Sequence, residues 1–502
     1  MEELAVIGGG AYSAVFINML TQHLGGSSRT PRVTVFERSA APWAGRAFQE
    51  DTEPVLLNTP AGWMSASPYS PSHFLRWLIG RLDGVDHEGS SITENSMVPR
   101  PLYGEYLRQV VAEASERASR DGGAVDIVRD EISGASRESD SGIFLHGRGR
   151  SYGPFDRVLM SVGHETRDPY DLTGAPGYIS DPYPLGETVA AVPADAPVLV
   201  IGTGLTAVDV ALAMLRRDRT APVVLTSRTG LLPSVRTDLS DLPAPEYLTR
   251  ERLGPLLASD GSLIPRIADL IDRELRTVGT TLRSALADVT ADEEASTRLG
   301  NQLSEQSRQP WRGVLVRALK DFGACVYHAM REDEKSQVVN LMHPHISSFG
   351  IPMPVASARK LMAGLQAGDL RVVRGLDSVR TTSCGFIAGT PSGSIEAAVA
   401  FNATSGPVST WSGATGDLIR SLVDHKLARL ARFGGVQVDQ HGQVLCEEPS
   451  PDGRIAVLGS LLRGSHYYID AVVIAARQID GLLHQWYPDE RRNRTPEGNS
   501  NE

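Results

Sequence analysis

Cysteine is scarce in this sequence of 502 residues, which contains Cys325, Cys384 and Cys446 and no others. None of the three lies in a C-x-x-C or C-x4-C pair. The sequence therefore gives no support to a disulfide scaffold, a zinc site or dithiol redox chemistry. If the protein carries out redox chemistry, a bound cofactor must supply it.

Long apolar runs and an excess of basic residues are also lacking. No stretch approaches the roughly 18 apolar residues of a membrane-spanning helix. The chain opens on the strand-like residues 4–7 rather than on a basic segment followed by a signal core. A formal net charge of −11 opposes a general basic field for nucleic acid or anionic membranes. We expect a cytoplasmic protein that binds small molecules and neither nucleic acid nor membrane, and we leave a homo-oligomer open.

The composition is typical of a globular protein, with a hydrophobic fraction of 41% and a charged fraction of 22%. The length exceeds what one ordinary hydrophobic core covers, so two or three domains are expected. The polar residues after about Asp489 predict a frayed C-terminal tail.

An apolar strand at residues 4–7 runs directly into a glycine-rich turn and a helix-compatible stretch. Gly8 suits the tight turn, Gly10 lets the backbone approach a pyrophosphate, and the small Ser13 stands where a third glycine is usual. The second strand ends at Glu37, where a ribose-binding carboxylate belongs. A structural turn followed by a solvated strand end is the alternative. The candidate cofactor-binding residues are Gly8, Gly10, Ser13, Glu37 and Arg38.

A second unit of the same kind begins with the apolar residues 198–201 and continues through a glycine turn into an amphipathic helix. Its next strand ends in Ser227 and Arg228 instead of an acid. A hydroxyl and a guanidinium suit a 2′-phosphate, which a carboxylate would repel, so NADPH is the expected ligand. A surface arginine is the alternative for Arg228. The candidate cofactor-binding residues are Gly202, Gly204, Thr206, Ser227 and Arg228.

Residues 240–340 have a different character and predict a mostly helical region, which either roofs an active site or only packs. Thr290 followed by Glu293 has the spacing of a capping box. Apolar residues recur at helical spacing in the segments 263–275, 281–287 and 315–330. Strand signals return at 370–373, 398–403 and 455–458.

These features resemble the two-dinucleotide-domain flavoprotein monooxygenases, a group that holds flavin-containing monooxygenases, amino-acid N-hydroxylases and Baeyer–Villiger enzymes. The chain is more closely similar to the bacterial FAD/NAD(P)-binding family that includes nitrosuccinate-forming aspartate N-hydroxylases. The C-terminal half matches in outline only. The segments that carry the resemblance are GGG at 8–10, LLNTPAGWMS at 56–65, VPRPLYGEYL at 98–107, GTGLT at 202–206 and SRTGLLP at 227–233.

The resemblance implies an α/β protein with two Rossmann-like domains, one for FAD and one for NADPH, and a helical insertion. It places Asn58 near the reactive edge of the flavin and the nicotinamide amide, where a side-chain amide can both donate and accept. A turn asparagine before Thr59 and Pro60 is the alternative. The F-x-G-x-x-x-H-x-x-x-W-P/D run of the Baeyer–Villiger subgroup is absent between the glycine motifs, and His164 is not an adequate substitute.

The same resemblance predicts a chain that passes back and forth between the two domains. The expected segments are 1–165 for the first part of the FAD domain, 190–235 for the first part of the NADPH domain, 236–345 for the helical region, 346–395 for the rest of the NADPH domain, 396–488 for the last part of the FAD domain and 489–502 for the tail.

The resemblance further implies N-hydroxylation of the amine of a small amino acid by dioxygen through a flavin hydroperoxide, with L-aspartate as the best candidate. After the last strand, Gly459 is a cofactor-binding candidate and Arg463 suits a substrate carboxylate. His466 suits either a proton acceptor or the binding of a second carboxylate. Arg317 is a second carboxylate-binding candidate. Such arginines and histidines also bind FAD phosphates or cap helices.

Two other hypotheses remain compatible with the residues. The protein catalyses another flavin oxygenation, including Baeyer–Villiger chemistry, or it is a flavin redox protein that does not oxygenate a substrate. His343, Pro344 and His345 resemble a metal-ligand pair without a third ligand, so we favour a structural or pocket-lining role and expect no metal.

Overall fold

The chain forms two compact units in the computed structural model. The first unit comprises Met1–Gln49, Thr59–His164 and Pro407–Glu502, and the second comprises Glu50–Asn58 and Glu165–Gly406. The structure describes residues 1–27, 29–53, 55–86, 89–137, 142–163, 168–238, 242–305, 309–404, 411–446, 453–469 and 471–488.

Strands occur at both ends of the chain and in its middle. In chain order they are β1 Glu3–Ile7, β2 Arg32–Phe36, β3 Ala124–Val128, β4 Gly134–Arg137, β5 Ile143–His146, β6 Ser151–Phe155, β7 Arg157–Met160, β8 Tyr178–Ile179, β9 Val198–Ile201, β10 Val223–Ser227, β11 Leu370–Arg374, β12 Ser378–Thr382, β13 Gly385–Thr390, β14 Gly393–Ala397, β15 Val399–Asn402 and β16 Ile455–Val457.

The α-helices alternate with these strands and cluster between β10 and β11. They are α1 Ala11–Leu24, α2 Gly45–Phe48, α3 His73–Arg81, α4 Arg100–Arg120, α5 Leu185–Ala190, α6 Leu205–Leu215, α7 Arg250–Leu257, α8 Ile264–Thr277, α9 Leu282–Thr290, α10 Ala295–Ser304, α11 Pro310–Ala329, α12 Glu332–Gln337, α13 His343–Gly350, α14 Val355–Ala367, α15 Gly413–Asp424, α16 Arg463–His466 and α17 Val472–Trp486. A π-helical turn, Val338–Met342, links α12 to α13.

The first unit is built on a parallel sheet with the strand order β16-β7-β1-β2-β3. Leu4, Ala5 and Val6 of the central strand β1 have no exposed surface, as expected for a strand covered on both faces of a parallel sheet. Helix α1 packs against α4 and α17. The separate antiparallel sheet β4-β5-β6 adds Ala135 and Leu145 to the hydrophobic core.

The second unit repeats this plan with the order β11-β10-β9-β15-β8. Its central strand β9 pairs in parallel with β10 and β15, and Leu199 and Val200 are fully buried. An antiparallel sheet, β12-β13-β14, again lies in sequence between the outer strand and the strand next to the centre. The expected fold class, two Rossmann-like α/β domains, is therefore confirmed.

The helical region α7 to α13 lies in sequence between β10 and β11. The periodic segments predicted from the sequence match α8, α9 and α11, which share a hydrophobic core with members such as Leu275 and Leu315. The capping box expected at Thr290 and Glu293 is wrong, because α9 ends at Thr290 and the next helix starts at Ala295. The side chain of Thr281 is the one that caps α9, accepting from the Ser284 N–H.

The segment boundaries differ in two places from those expected. Strand β15, Val399–Asn402, pairs with β9, so the chain stays in the second unit until Gly406 rather than entering the last FAD segment at residue 396. Residues 50–58 join the second unit, although they lie inside the segment expected to form the first. His164 and the tail 489–502 lie outside the described residues.

Candidate functional site

The glycine turn of the first unit follows β1 directly. Gly8 has a φ of +93°, and a Cβ added to it would lie 2.3 Å from the carbonyl oxygen of Ser161, so only glycine fits there. Gly10 caps α1, and no heavy atom lies within 4 Å of its hypothetical Cβ. That open face lets a ligand approach the backbone at the helix N-terminus. Ser13 is buried and donates its hydroxyl hydrogen bond to Gly8 O, which fixes the turn itself.

The residues after β2 divide into one that contacts the turn and one that does not. The Glu37 carboxylate accepts hydrogen bonds from the N–H of Gly9 and of Ser39, each at 2.7 Å. Arg38 instead forms an ion pair at 2.9 Å with Glu131, and 76% of its side chain is exposed. The expected cofactor-binding role of Arg38 therefore has no support from its contacts, whereas Glu37 lies against the glycine turn.

The second glycine turn has the geometry of the first. Gly202 has a φ of +128°, and an added Cβ would lie 2.3 Å from the carbonyl oxygen of Ala403. Gly204 caps α6 with φ −76° and ψ −169°, close to the −84° and −169° of Gly10. Thr206 lies in the first turn of α6. The two turns are therefore built alike from unrelated flanking residues.

A cavity of about 440 Å3 lies along this turn in the second unit. Gly202 and Gly204 line it together with Ser227, Arg228 and Tyr170. The Ser227 hydroxyl accepts from the Gly230 N–H at 2.9 Å and so shapes the loop. Burial raises the pKa of Tyr170, while the positive charge of Arg228 opposes that rise. The exposed Arg228 therefore stands at the cavity as its source of positive charge next to Tyr170.

The helical region contributes to the same cavity through α13. His343 and Pro344, in the first turn of that helix, line it together with Ser347 and Ser348. Across the residues that the structure describes, no group of three or more His, Cys, Asp or Glu side chains is placed to hold a metal ion. The pocket-lining role expected for the His343 segment therefore matches its position.

Asn58 belongs to the second unit, where its carbonyl oxygen accepts a hydrogen bond from Arg236 Nη2. The residue lines a smaller cavity of about 30 Å3, next to Asp209 of α6 and Ser357 of α14. The Arg236 contact was missed from the sequence because the two residues are 178 positions apart, and no spacing or motif links them.

The segment after β16 was expected to carry substrate-binding residues. Gly459 has a φ of +72° and begins a short 3-10 helix. Arg463 is half-buried. His466 is 2% exposed, and its Nε2 lies 3.4 Å from the Gln440 carbonyl oxygen. Because the ring is withdrawn from solvent, His466 does not suit the role of proton acceptor for a diffusing substrate.

Arg317, expected to bind a substrate carboxylate, contacts other residues of the helical region. Its Nη1 donates to Pro243 O at 2.6 Å, and its Nη2 lies 3.7 Å from a carboxylate oxygen of Glu274. Glu274 is 1% exposed and accepts hydrogen bonds from the N–H groups of three consecutive residues beginning at Glu246. A buried carboxylate requires such partners, so Arg317 stabilises the helical region instead of facing a substrate carboxylate.

Comparisons with known proteins agree with this architecture. Residues 5–165 match the family model described as FAD-NAD(P)-binding, which confirms the expected class of cofactor domain at the start of the chain. No curated protein matches the chain. None of the helices in the described residues is long and apolar enough to cross a membrane.

Three solved structures share the fold along nearly the whole chain. L-lysine 6-monooxygenase from Pseudomonas syringae is 13% identical with a TM-score of 0.57, covering 97% of this chain and 99% of its own. The ornithine N-hydroxylase of Kutzneria sp. 744 is 13% identical with a TM-score of 0.55, covering 99% and 100%. A cadaverine monooxygenase from Erwinia amylovora, bound to FAD, is 11% identical with a TM-score of 0.54, covering 97% and 94%. At such identities the likeness establishes the fold.

Proposed function

We propose that this chain, with an FAD-NAD(P)-binding domain at residues 5–165, is an FAD- and NADPH-dependent monooxygenase that N-hydroxylates a small amine. The observation that carries the proposal is the repetition of one nucleotide-binding turn in both units of a fold shared with three N-hydroxylating or amine-directed monooxygenases. Two dinucleotide sites are what a reaction needs when one cofactor reduces another.

The first unit fits FAD. The open face of Gly10 and the N–H groups at the start of α1 suit a pyrophosphate. One carboxylate oxygen of Glu37 accepts from the Gly9 N–H and the other from the Ser39 N–H. A carboxylate can accept further hydrogen bonds, so Glu37 is proposed to accept from ribose hydroxyls as well. Gly459 with its positive φ is proposed to let the backbone after β16 approach the same cofactor.

The second unit fits NADPH in its cavity of about 440 Å3. Register alignment places Ser227 and Arg228 where the first unit has Glu37 and Arg38, because Ile201 pairs with Thr226 as Ile7 pairs with Phe36. Replacing a carboxylate by a hydroxyl removes the repulsion of a 2′-phosphate, and the Arg228 guanidinium supplies charge-assisted hydrogen bonds.

The proposed reaction converts R–NH2, O2, NADPH and H+ into R–NHOH, H2O and NADP+. When bound, FAD would supply the redox chemistry by carrying two electrons from NADPH to dioxygen, so that one oxygen atom would go to nitrogen and the other to water. The protein must exclude water and hold the amine unprotonated. Asn58 is proposed to hydrogen-bond the nicotinamide amide and orient it.

For the substrate, we propose an amino acid with a carboxylate bound by Arg463, with L-aspartate as the first compound to test. Arg317 and His466 are left out of this proposal because their side chains are used within the fold. The enzymes in the three solved structures act, by their names, on lysine, ornithine and cadaverine. These amines should therefore be tested beside L-aspartate.

The test follows the flavin spectrum while NADPH-reduced holoenzyme meets oxygenated buffer with aspartate, lysine, ornithine, cadaverine or no substrate. Product mass is recorded in parallel. A compound that gains one oxygen and raises the ratio of product to NADPH identifies the substrate class. NADPH consumption that yields only hydrogen peroxide across the panel contradicts the monooxygenase proposal.

A further inference from the structure

The strap, defined as residues 50–58, is anchored to the second unit at its start. The Asp51 carboxylate accepts hydrogen bonds from the N–H of Leu185 at 2.6 Å and of Gly186 at 2.8 Å, at the beginning of α5. Glu53 lies 3.5 Å from Arg216 and 3.9 Å from Arg217. Four contacts of two acidic side chains therefore hold the beginning of the strap on the second unit, to which Gln49 and Thr59 at its two ends do not belong.

The end of the strap is held by Arg236. Its Nη2 donates to the carbonyl oxygen of Asn58 and lies 3.5 Å from that of Pro352. The backbone N–H of Arg236 donates to Met353 O at 2.9 Å. The guanidinium is half-buried, where a charge-assisted hydrogen bond to a carbonyl is stronger than one exposed to water.

The residues just before Arg236 form part of the wall of the cavity of about 440 Å3. Leu231 and Pro233 line it, together with Ser348 of α13. The Ser348 hydroxyl donates to Leu232 O at 2.7 Å, and the N–H of Ser234 donates to Ser348 O at 2.8 Å. One continuous stretch of hydrogen-bonded backbone therefore runs from the cavity wall to the arginine that holds Asn58.

From this arrangement we propose that Arg236 is a positioning residue that fixes Asn58 relative to the nicotinamide end of the bound dinucleotide. The inference rests on the proposed function, because it assumes that the cavity holds NADP(H). It goes further by assigning a role to Arg236, which is not among the residues that line that cavity. Without the Arg236 side chain, the carbonyl oxygen of Asn58 loses the hydrogen bond from the guanidinium, while the cavity around Arg228 remains.

The test compares two ligands on the FAD holoenzyme by calorimetry. NADP+ carries the nicotinamide, and 2′,5′-ADP fills only the adenosine end with its 2′-phosphate. Arg236→Met should weaken NADP+ binding by about tenfold, the value of one good hydrogen bond, and leave 2′,5′-ADP binding unchanged within about twofold. Arg236→Lys, which keeps a charged donor, should recover most of the NADP+ affinity.

Arg219 offers the matched control. It is also half-buried in the second unit, and its guanidinium also donates to two carbonyl oxygens, those of Pro193 and Ala196. Arg219→Met should leave both ligands unaffected. Equal weakening of both ligands by Arg236→Met, no weakening of either, or the same selective loss in Arg219→Met would each overturn the proposal.

Asn58→Ala covers the case in which Arg236→Met does not fold. It should show the same selective loss of NADP+ affinity and leave 2′,5′-ADP binding unchanged, because the Asn58 side chain is the group proposed to meet the nicotinamide. Weakening of both ligands by Asn58→Ala, or of neither, overturns the inference. If the wild-type holoenzyme binds neither ligand, the proposed function itself fails, and that result is distinct from a selective effect at Arg236.

Discussion

The two units of this protein have glycine turns of the same geometry but differ in the residues that follow the next strand. In each, the first glycine of the turn is pressed against a backbone carbonyl at 2.3 Å from its hypothetical Cβ, Ser161 O in one unit and Ala403 O in the other. In each, the cap glycine opens a helix with nearly the same φ and ψ. We therefore propose that the shared turn geometry serves to bind a dinucleotide, and that the residues after the next strand select which one.

The arginine that follows this strand shows how context decides a role. Arg38 and Arg228 occupy equivalent positions, as the strand registers show. Arg38 is paired with Glu131 on the surface, whereas Arg228 lines the cavity next to Tyr170. The same residue type at the same position is thus a surface ion pair in one unit and a proposed phosphate ligand in the other.

The largest expected effects come from replacing the first glycine of each turn, where a side chain does not fit. Gly8→Ala should lower the free energy of unfolding by on the order of 3 kcal/mol or more, since a positive φ and a backbone clash combine, and should abolish FAD binding. Gly202→Ala should spare FAD and abolish NADPH binding. Melting curves and flavin absorbance check both.

Gly10→Ala is the control for that comparison. Nothing crowds its Cβ position, so the melting temperature of the apoprotein should stay the same while FAD affinity falls. If Gly10→Ala binds FAD normally, the open face of the turn does not contact the cofactor.

The next effect concerns the choice between the two nicotinamide cofactors. Arg228→Ala should lower kcat/KM for NADPH by about 10- to 100-fold, the range expected for charge-assisted hydrogen bonds worth about 1.5–3 kcal/mol. The value for NADH should change little. Steady-state kinetics with both cofactors measures the ratio, and an equal loss for both would refute the 2′-phosphate assignment.

A smaller effect is expected in the helical region, which belongs to the second unit. Burial by itself raises the pKa of Glu334, but hydrogen bonds from Ser262 and from the N–H of Ile264, Arg331 and Leu263 outweigh it, so the pKa is lowered. A lowered pKa means that the ionised carboxylate stabilises the fold above the unfolded-state pKa of about 4.3 and loses this contribution as the pH falls through the folded-state value.

Glu334→Gln should therefore cost about 1–2 kcal/mol at neutral pH. The difference from wild type should shrink below about pH 4. Urea unfolding at several pH values measures it. A difference that is independent of pH would show that the loss comes from packing and not from the charge.

The smallest expected effect is at Arg38. Because its side chain is largely exposed, Arg38→Ala should change the free energy of unfolding by less than about 0.5 kcal/mol and leave FAD affinity unchanged. Fluorescence titration of the apoprotein with FAD is the measurement. Clear loss of FAD affinity would restore the cofactor-binding role expected from the sequence.

Local patterns predicted the parts of the site that depend on neighbouring residues. Gly8, Gly202 and the strand ends at Glu37 and Ser227 could be read because strand, turn and helix follow one another within a few residues. Arg317 and His466 could not, because their partners, Glu274 and the Gln440 carbonyl, come from other segments. A charged side chain in a sequence shows only what it can bind, and packing decides what it does bind.

The sequence by itself determined the two glycine turns and the helical nature of the region between β10 and β11, since these follow from the steric freedom of glycine and from periodicity. The resemblance that its motifs carry implied the α/β class. Only the tertiary structure decided that residues 50–58 belong to the second unit and that Arg236 holds Asn58. The physical reason is distance along the chain: contacts between segments separated by more than a hundred residues are set by how the sheets and helices pack, and no local pattern encodes them.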